Sequence, residues 1–279
     1  MKSYYNLGCG KRYHPSWTNI DIASRGKGVI RHDLSQGIPA ADSSVDVIYS
    51  SAVLEHIRLQ HVQPFLRECF RVLKPGGIIR IAVPDLEMIC RQYLSKLDAA
   101  VAGEASAEHE YDWMMLEVCD QFVRERPGGE MGALLLQKSL PQLDFILSRT
   151  GEEGRLLRER ILRGDPWKIK VLRRLRSYLL RLRQGALSLI LGPSGSMAYE
   201  IGKFRLSGEV HQWMYDRFSL SRVLNKAGFI KPEIMEAGSS AVPGWKEFSL
   251  EILPGGVVIK PDLFYIEAIK PPLVSNSVR

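Results

Sequence analysis

The chain has few cysteines, and none is placed for pairing. Cys9, Cys69, Cys90 and Cys119 show no CxxC spacing, which excludes a thiolate zinc site of the usual pattern and a disulfide framework. Long apolar runs are missing too: the strongest near the middle, Ala186 to Leu191, is far too short to cross a bilayer. Met1-Lys2-Ser3-Tyr4 leads straight into a strand-like run without an apolar leader. These absences predict a cytoplasmic protein with free thiols and no metal. No repeat occurs at the periods of solenoids or propellers.

What is present is the composition of a folded chain: 279 residues, 45% hydrophobic and 25% charged. The net charge of +7 is concentrated, because residues 155–183 hold 11 Arg and Lys against Glu159 and Asp165. That segment carries +9 and the remainder −2, a distribution suited to a phosphate-bearing or anionic partner.

Strand-like runs at Ser3–Leu7, Trp17–Ile22, Gly28–Leu34, Val45–Tyr49 and Ile78–Val83 are separated by Gly and Pro punctuation. Between the last two, Val62, Phe65, Leu66, Cys69, Phe70 and Leu73 recur at helical spacing, and Lys74-Pro75-Gly76-Gly77 reads as the stop of that helix. Leu86–Ser207 reads as helix or loop without a second strand series. Alternation resumes with a helix over Leu220–Ala227 capped by Gly228, then strands Phe229–Ala237 and Leu263–Ile269. The pattern predicts an α/β fold with a Rossmann-like, doubly wound, mostly parallel sheet and a large helical insertion after the fifth strand. The expected divisions are a core at 1–94 and 208–279 and an inserted helical region at 95–207.

Gly8-Cys9-Gly10 closes the first strand, where glycine lets backbone approach a ligand. Asp21 ends the second strand run and Asp33 falls in the third, along the same sheet edge. A carboxylate after the second strand suits ribose hydroxyls, and Asp33 suits an exocyclic amine of a purine. Either acid alone reads as a helix cap or a solvated loop group rather than a ligand contact; the ordered set points to a nucleotide-like ligand.

The segments Leu7-Gly8-Cys9-Gly10, Asn19-Ile20-Asp21, His32-Asp33-Leu34, Ser44-Val45-Asp46-Val47-Ile48, Val53-Leu54-Glu55-His56 and Arg71-Val72-Leu73-Lys74-Pro75-Gly76-Gly77 resemble, in order, the motifs of class I S-adenosylmethionine-dependent methyltransferases of the small-molecule, type 11-like kind. The resemblance covers 3–94 and resumes at 208–238. It implies S-adenosyl-L-methionine as cofactor, with Leu7, Gly8, Cys9 and Gly10 against its methionine part. Asp21 would hold the ribose, Asp33 and Leu34 the adenine, and Ser50 and Ser51 would line the pocket near the methyl. Only ten residues separate Gly10 from Asp21, and Pro15 is among them, so the first helix of the pattern is expected to be short or missing.

Methyl transfer to a hydroxyl needs alignment and a proton acceptor. His211 and His56 are the histidine candidates for that base, and Asp85, Tyr93, Trp213 and Tyr215 are candidates for contact with the acceptor. Asp85 beside Pro84 also reads as a helix cap, and His56 as a helix-start residue.

Within 168–183, the stripe Val171, Leu172, Leu175, Tyr178, Leu179 and Leu182 makes a basic amphipathic helix. It suits a lid over a substrate pocket, a contact with another protein, or peripheral membrane contact through 155–192. The resulting expectation is a methyltransferase acting on oxygen of a small-molecule, glycan or lipid-linked acceptor, cytoplasmic or peripheral at the inner membrane surface. The alternatives are an RNA methyltransferase and a non-catalytic cofactor-binding scaffold. Against nucleic acid, the arginines share their helix with leucines rather than stacking aromatics. No Asn-Pro-Pro-Tyr-type motif follows the fourth strand, which argues against base-amine methylation.

Overall fold

Short apolar runs broken by Gly and Pro form the strands, and the periodic segments between them form the helices. In this computed structural model, described over residues 2–23, 26–163 and 167–273, the order begins β1 (Tyr4–Leu7), β2 (Thr18–Asp21), β3 (Val29–Arg31), β4 (Val45–Ser51), α1 (Leu59–Val72) and β5 (Leu73–Pro84). Five helices follow: α2 (Leu86–Val101), α3 (Ala107–Val123), α4 (Gly129–Leu135), α5 (Leu143–Arg163) and α6 (Trp167–Arg205). The chain then returns through α7 (Arg217–Lys226), β6 (Ile230–Met235) and β7 (Leu263–Ile269). Two compact units result, 1–90 with 212–279 and 91–211.

The first unit is a seven-stranded sheet ordered β3-β2-β1-β4-β5-β7-β6. Strands β1 to β5 pair in parallel, and β7 runs antiparallel to both β5 and β6. The order reverses at β1, between β2 and β4. The carboxyl ends of these strands are therefore where a parallel sheet of this kind opens a ligand crevice.

Side chains alternate across the sheet. Ile48 joins Leu7, Ile20, Ile79 and Ile266 on the face packed by Leu66 and Cys69 of α1 and by Leu220 and Leu224 of α7. Its neighbours Val47 and Tyr49 face the other way, into an aromatic layer of Trp17, Trp245 and Phe248. No helix occupies the β1–β2 connection. Asn6 and Asn19, both buried, hold it instead: Asn6 Nδ2 donates to the Arg12 carbonyl at 3.0 Å, and Asn19 Nδ2 donates to those of His14 and Trp17 at 2.9 and 2.8 Å.

On the aromatic side Arg80 is fully buried and matched. Its Nε donates to Glu251 at 2.9 Å, its Nη1 to Glu267 at 2.7 Å, and its guanidinium stacks 4.5 Å from the Trp245 ring.

Two strand expectations change. β3 stops at Arg31, because the next turn is taken by a short 3-10 segment, Leu34–Gln36. β5 starts at Leu73 rather than Ile78, so Lys74-Pro75-Gly76-Gly77 both stops the helix and begins the strand. Leu73 pairs with Val45 there, and Gly76 N–H and Gly77 C=O bond to Lys270.

The second unit is helical. Trp113 and Met114 of α3, Leu135 of α4 and Ile146 of α5 are buried in it. A buried ion pair joins Arg149 to Glu117 at 3.0 Å, and Asp120 accepts from the Glu130 N–H at 2.6 Å. α5 breaks at Gly151 and α6 at Gly192. Asp165 and the side chains of 167–177 and 179–181, which carry most of the amphipathic stripe and its arginines, lie outside the described residues.

Candidate functional site

At the switch point the chain turns from β1 through Gly8-Cys9-Gly10, with Gly8 N–H and Cys9 N–H both donating to the Ile20 carbonyl at 2.8 and 3.1 Å. Gly8 has φ +68°, and a Cβ there would sit 2.4 Å from Val53 Cγ2, so only glycine permits this approach to the segment after β4. Gly10 also has positive φ, but a Cβ there meets nothing within 4 Å. The first glycine is required by packing, and the second leaves backbone uncovered.

Asp21 ties this turn to β2. One carboxylate oxygen accepts from Gly10 N–H at 2.9 Å and the other from Ala23 N–H at 2.8 Å. Each oxygen keeps lone-pair capacity for a further donor. Ile22, next to Asp21, is 63% exposed and gives the same edge an uncovered apolar side chain.

Asp33 sits two residues beyond the end of β3 and is exposed. Its side chain caps the 3-10 segment by accepting from Ser35 N–H at 2.9 Å, which holds its carboxyl below the ordinary range. The cap reading therefore describes this acid, with Leu34 half-buried behind it.

Leu7 pairs with Ser50 in register, which puts the ends of β1 and β4 side by side. Ser50 is buried, and its hydroxyl has no hydrogen-bond partner among the described residues. Ala52, just past β4, adopts φ +53°, an unusual conformation for a residue with a side chain. It is held by Ala52 N–H to Ala82 C=O at 2.9 Å, and the chain then enters the 3-10 turn Leu54–His56.

The model of a methyltransferase domain family matches residues 8–81, from the Gly turn to β5. An S-adenosylmethionine-dependent methyltransferase by name, from Mycolicibacterium smegmatis, is 43% identical over 56 residues, a stretch that spans 20% of this chain and only 21% of that relative. The similarity to methyltransferases is carried by residues 8–81. Among solved structures, a methyltransferase from Thermotoga maritima superposes with TM-score 0.40 and 10% identity, covering 97% of this chain and 83% of that one. Another from Archaeoglobus fulgidus gives 0.39 and 11%, covering 96% and 86%.

The residues present fit S-adenosylmethionine, the cofactor in the name of the Mycolicibacterium smegmatis relative. The turn at Gly10 has room for a ligand against backbone, Asp21 can accept hydroxyl donors, and the buried hydroxyl of Ser50 lacks a partner. Burial pushes the Cys9 thiol up to about 11, with Asp21 adding to the shift, so Cys9 is a neutral packing group rather than a nucleophile.

The remaining sequence candidates divide between the units. In the first unit, Asp85 follows β5 and caps α2 by accepting from Met88 N–H at 3.0 Å. Tyr215 forms a bridge with Asp85 and donates nothing from its buried hydroxyl to any described residue. Trp213 is partly exposed, and its N–H donates to the Glu55 carbonyl at 3.2 Å, as does Gln212 N–H at 2.7 Å. His56 closes the 3-10 turn and is half-buried, while Ser51 is half-buried at the end of β4.

His211 and Tyr93 belong to the helical unit. The His211 N–H donates to the Gln121 carbonyl at 3.1 Å, and its ring meets Phe122 edge-on at 6.2 Å. Tyr93 packs against Tyr111 at 5.9 Å.

Sequence reasoning missed Asn6 and Asn19, whose polarity inside strands was the available signal. It also assigned no role to Glu55, although that residue stood in a quoted motif. Glu55 is 1% exposed, and neither carboxylate oxygen has a hydrogen-bond partner among the described residues.

Proposed function

We propose that this chain transfers the methyl group of S-adenosylmethionine to an oxygen of a small-molecule, glycan or lipid-linked acceptor. The observation that carries the reading is the Asp21 carboxylate bonded to Gly10 N–H inside the matched methyltransferase domain. It fixes a hydroxyl-accepting group beside uncovered backbone.

The cofactor, when bound, supplies an electrophilic methyl on a sulfonium. The chain's part is positioning. Gly8 and Gly10 bring backbone close to the methionine end, and Asp21 accepts from the ribose hydroxyls. Ile22 and Leu34 flank the base, with Asp33 at its edge, while Ser50 and Ser51 line the pocket one strand over. Alignment of this kind supplies much of the barrier reduction for an in-line displacement.

A lipid-linked acceptor and peripheral contact with an anionic membrane are supported by the helical unit. Leu189 is 89% and Ile190 78% exposed, just after the basic stretch 155–183. An aromatic at 178 and Leu182 are also exposed. No described helix is long and apolar enough to cross a membrane. A cytoplasmic setting is supported by four unpaired thiols.

Calorimetry with S-adenosylhomocysteine tests the donor site: Asp21→Ala should abolish a binding that the native chain shows. Label from methyl-labelled cofactor, followed into lipid, polysaccharide, RNA and small-metabolite fractions of an extract, tests the acceptor. Transfer chiefly into RNA would overturn the acceptor class. Flotation with phosphatidylglycerol vesicles tests the membrane contact, which fails if intact chain stays unbound at low salt.

A further inference from the structure

A ligand with its ribose at Asp21, on the β2 side, and its methionine end at Gly8–Gly10 points its reactive centre toward the ends of β4 and β5. Two buried polar side chains stand there unused. Glu55 lies in the 3-10 turn after β4, two residues beyond the Val53 that Gly8 packs against. Tyr215 is held beside Asp85 at the end of β5, with Leu86 N–H donating to its carbonyl at 3.1 Å. The segment bearing Tyr215 is docked on Glu55 itself through the two N–H bonds to the Glu55 carbonyl.

Both residues are 1% exposed, and the Glu55 carboxylate and the Tyr215 hydroxyl lack hydrogen-bond partners among the described residues. Buried polar atoms in folded proteins are almost always bonded, so an orphaned carboxyl and phenol together at a ligand crevice mark atoms meant for a ligand.

We propose that Glu55 is a catalytic residue, the group that accepts the proton of the acceptor's hydroxyl, with Tyr215 donating a hydrogen bond to the same oxygen. The assignment rests on the methyltransferase reading above. As the acceptor oxygen attacks, a carbon–oxygen bond forms and the methyl carbon–sulfur bond breaks with its electron pair going to sulfur. The hydroxyl proton passes to the Glu55 carboxylate. The sulfonium and carboxylate charges cancel together.

The surroundings suit a base. Within its own unit the titratable groups around Glu55 are His56, with a ring nitrogen within 4.8 Å of a carboxylate oxygen, together with Tyr215, Lys260 and Asp262. Burial raises its carboxyl to about 8 against the pull of its own backbone N–H and of Lys260, and Asp262 adds to the shift. Ionised, such a carboxylate is a stronger base than a solvated one and still populated near neutral pH. Burial and the Glu55 charge likewise keep the Tyr215 phenol protonated and able to donate.

The test uses the full chain and its Glu55→Gln and Tyr215→Phe variants, with methyl-labelled S-adenosylmethionine and cell extract. Glu55→Gln should lower label incorporation at least ~100-fold, as loss of a general base does, while S-adenosylhomocysteine affinity by calorimetry stays within about twofold. Tyr215→Phe should lower incorporation by about tenfold, the scale of one hydrogen bond. The infrared difference between native chain and Glu55→Gln should show a protonated carboxyl at pH 6 that disappears above pH 8. Incorporation by Glu55→Gln within threefold of native overturns the assignment. No label from the native chain overturns the methyltransferase reading itself, and the role of Glu55 with it.

Discussion

The first unit buries carboxylates in two places and treats them oppositely. On the aromatic side of the sheet, Glu251 and Glu267 converge on Arg80, whose guanidinium is also held by the carbonyls of Glu236 and Ser239. Two negative groups share one positive one there, so burial still raises Glu251 to about 7 against the pull of Arg80, and Arg80 stays charged. At the ends of β4 and β5, Glu55 is as buried and has no such partner. A matched cluster locks β5, β7 and the segment after β6 together; an unmatched one costs stability and persists where a ligand completes it.

The sharpest way to break the comparison is Arg80→Met. It leaves two buried carboxylates without their cation and should lower unfolding free energy in urea by about 3–5 kcal/mol at pH 7. A loss below about 1 kcal/mol would mean that the cluster is not held by charge.

Glu55→Gln should act with the opposite sign. A carboxyl whose folded pKa is raised from 4.5 to about 8 stabilises most below 4.5, and that contribution is lost as pH rises through 8. The variant should therefore match native stability near pH 4.5 and exceed it by on the order of 2–4 kcal/mol at pH 9. Urea unfolding at the two pH values checks this, and a variant less stable at pH 9 would remove the contrast.

Gly8→Ala should cost about 1–3 kcal/mol by driving a methyl into Val53, with loss of S-adenosylhomocysteine binding. Asp33→Ala is the smallest change: losing the cap should cost about 0.5–1 kcal/mol in thermal unfolding, with cofactor affinity reduced far less than by Asp21→Ala.

Much of the fold was legible because its signals are local. The α1 face of Val62, Phe65, Leu66 and Cys69 follows from helical spacing, and β7 has the bounds its apolar run predicts. Gly8-Cys9-Gly10 and Asp21 were readable as a candidate site because glycine freedom and a carboxylate at a strand end are properties of few residues in a row. Asp33 misled as to its strand, because a strand end and a capped turn look alike in sequence until hydrogen bonds choose between them. The Lys74–Gly77 stretch read only as the stop of a helix, and not as the start of β5, because the partners of this stretch of β5, Val45 and Lys270, are distant in the chain.

The sequence by itself determined the alternation of strands and helices, the glycine turn with its acid, and the place where a helical segment interrupts the sheet. These depend on periodicity and on the conformational limits of single residues. Only the tertiary structure decided that Asn6 and Asn19 replace the first helix and that Arg80 faces two glutamates. Tertiary structure also decided that Glu55 and Tyr215, 160 positions apart in the chain, are buried at one sheet edge without side-chain hydrogen-bond partners among the described residues. Whether a buried polar group is satisfied depends on which distant atoms surround it, and no local pattern carries that information.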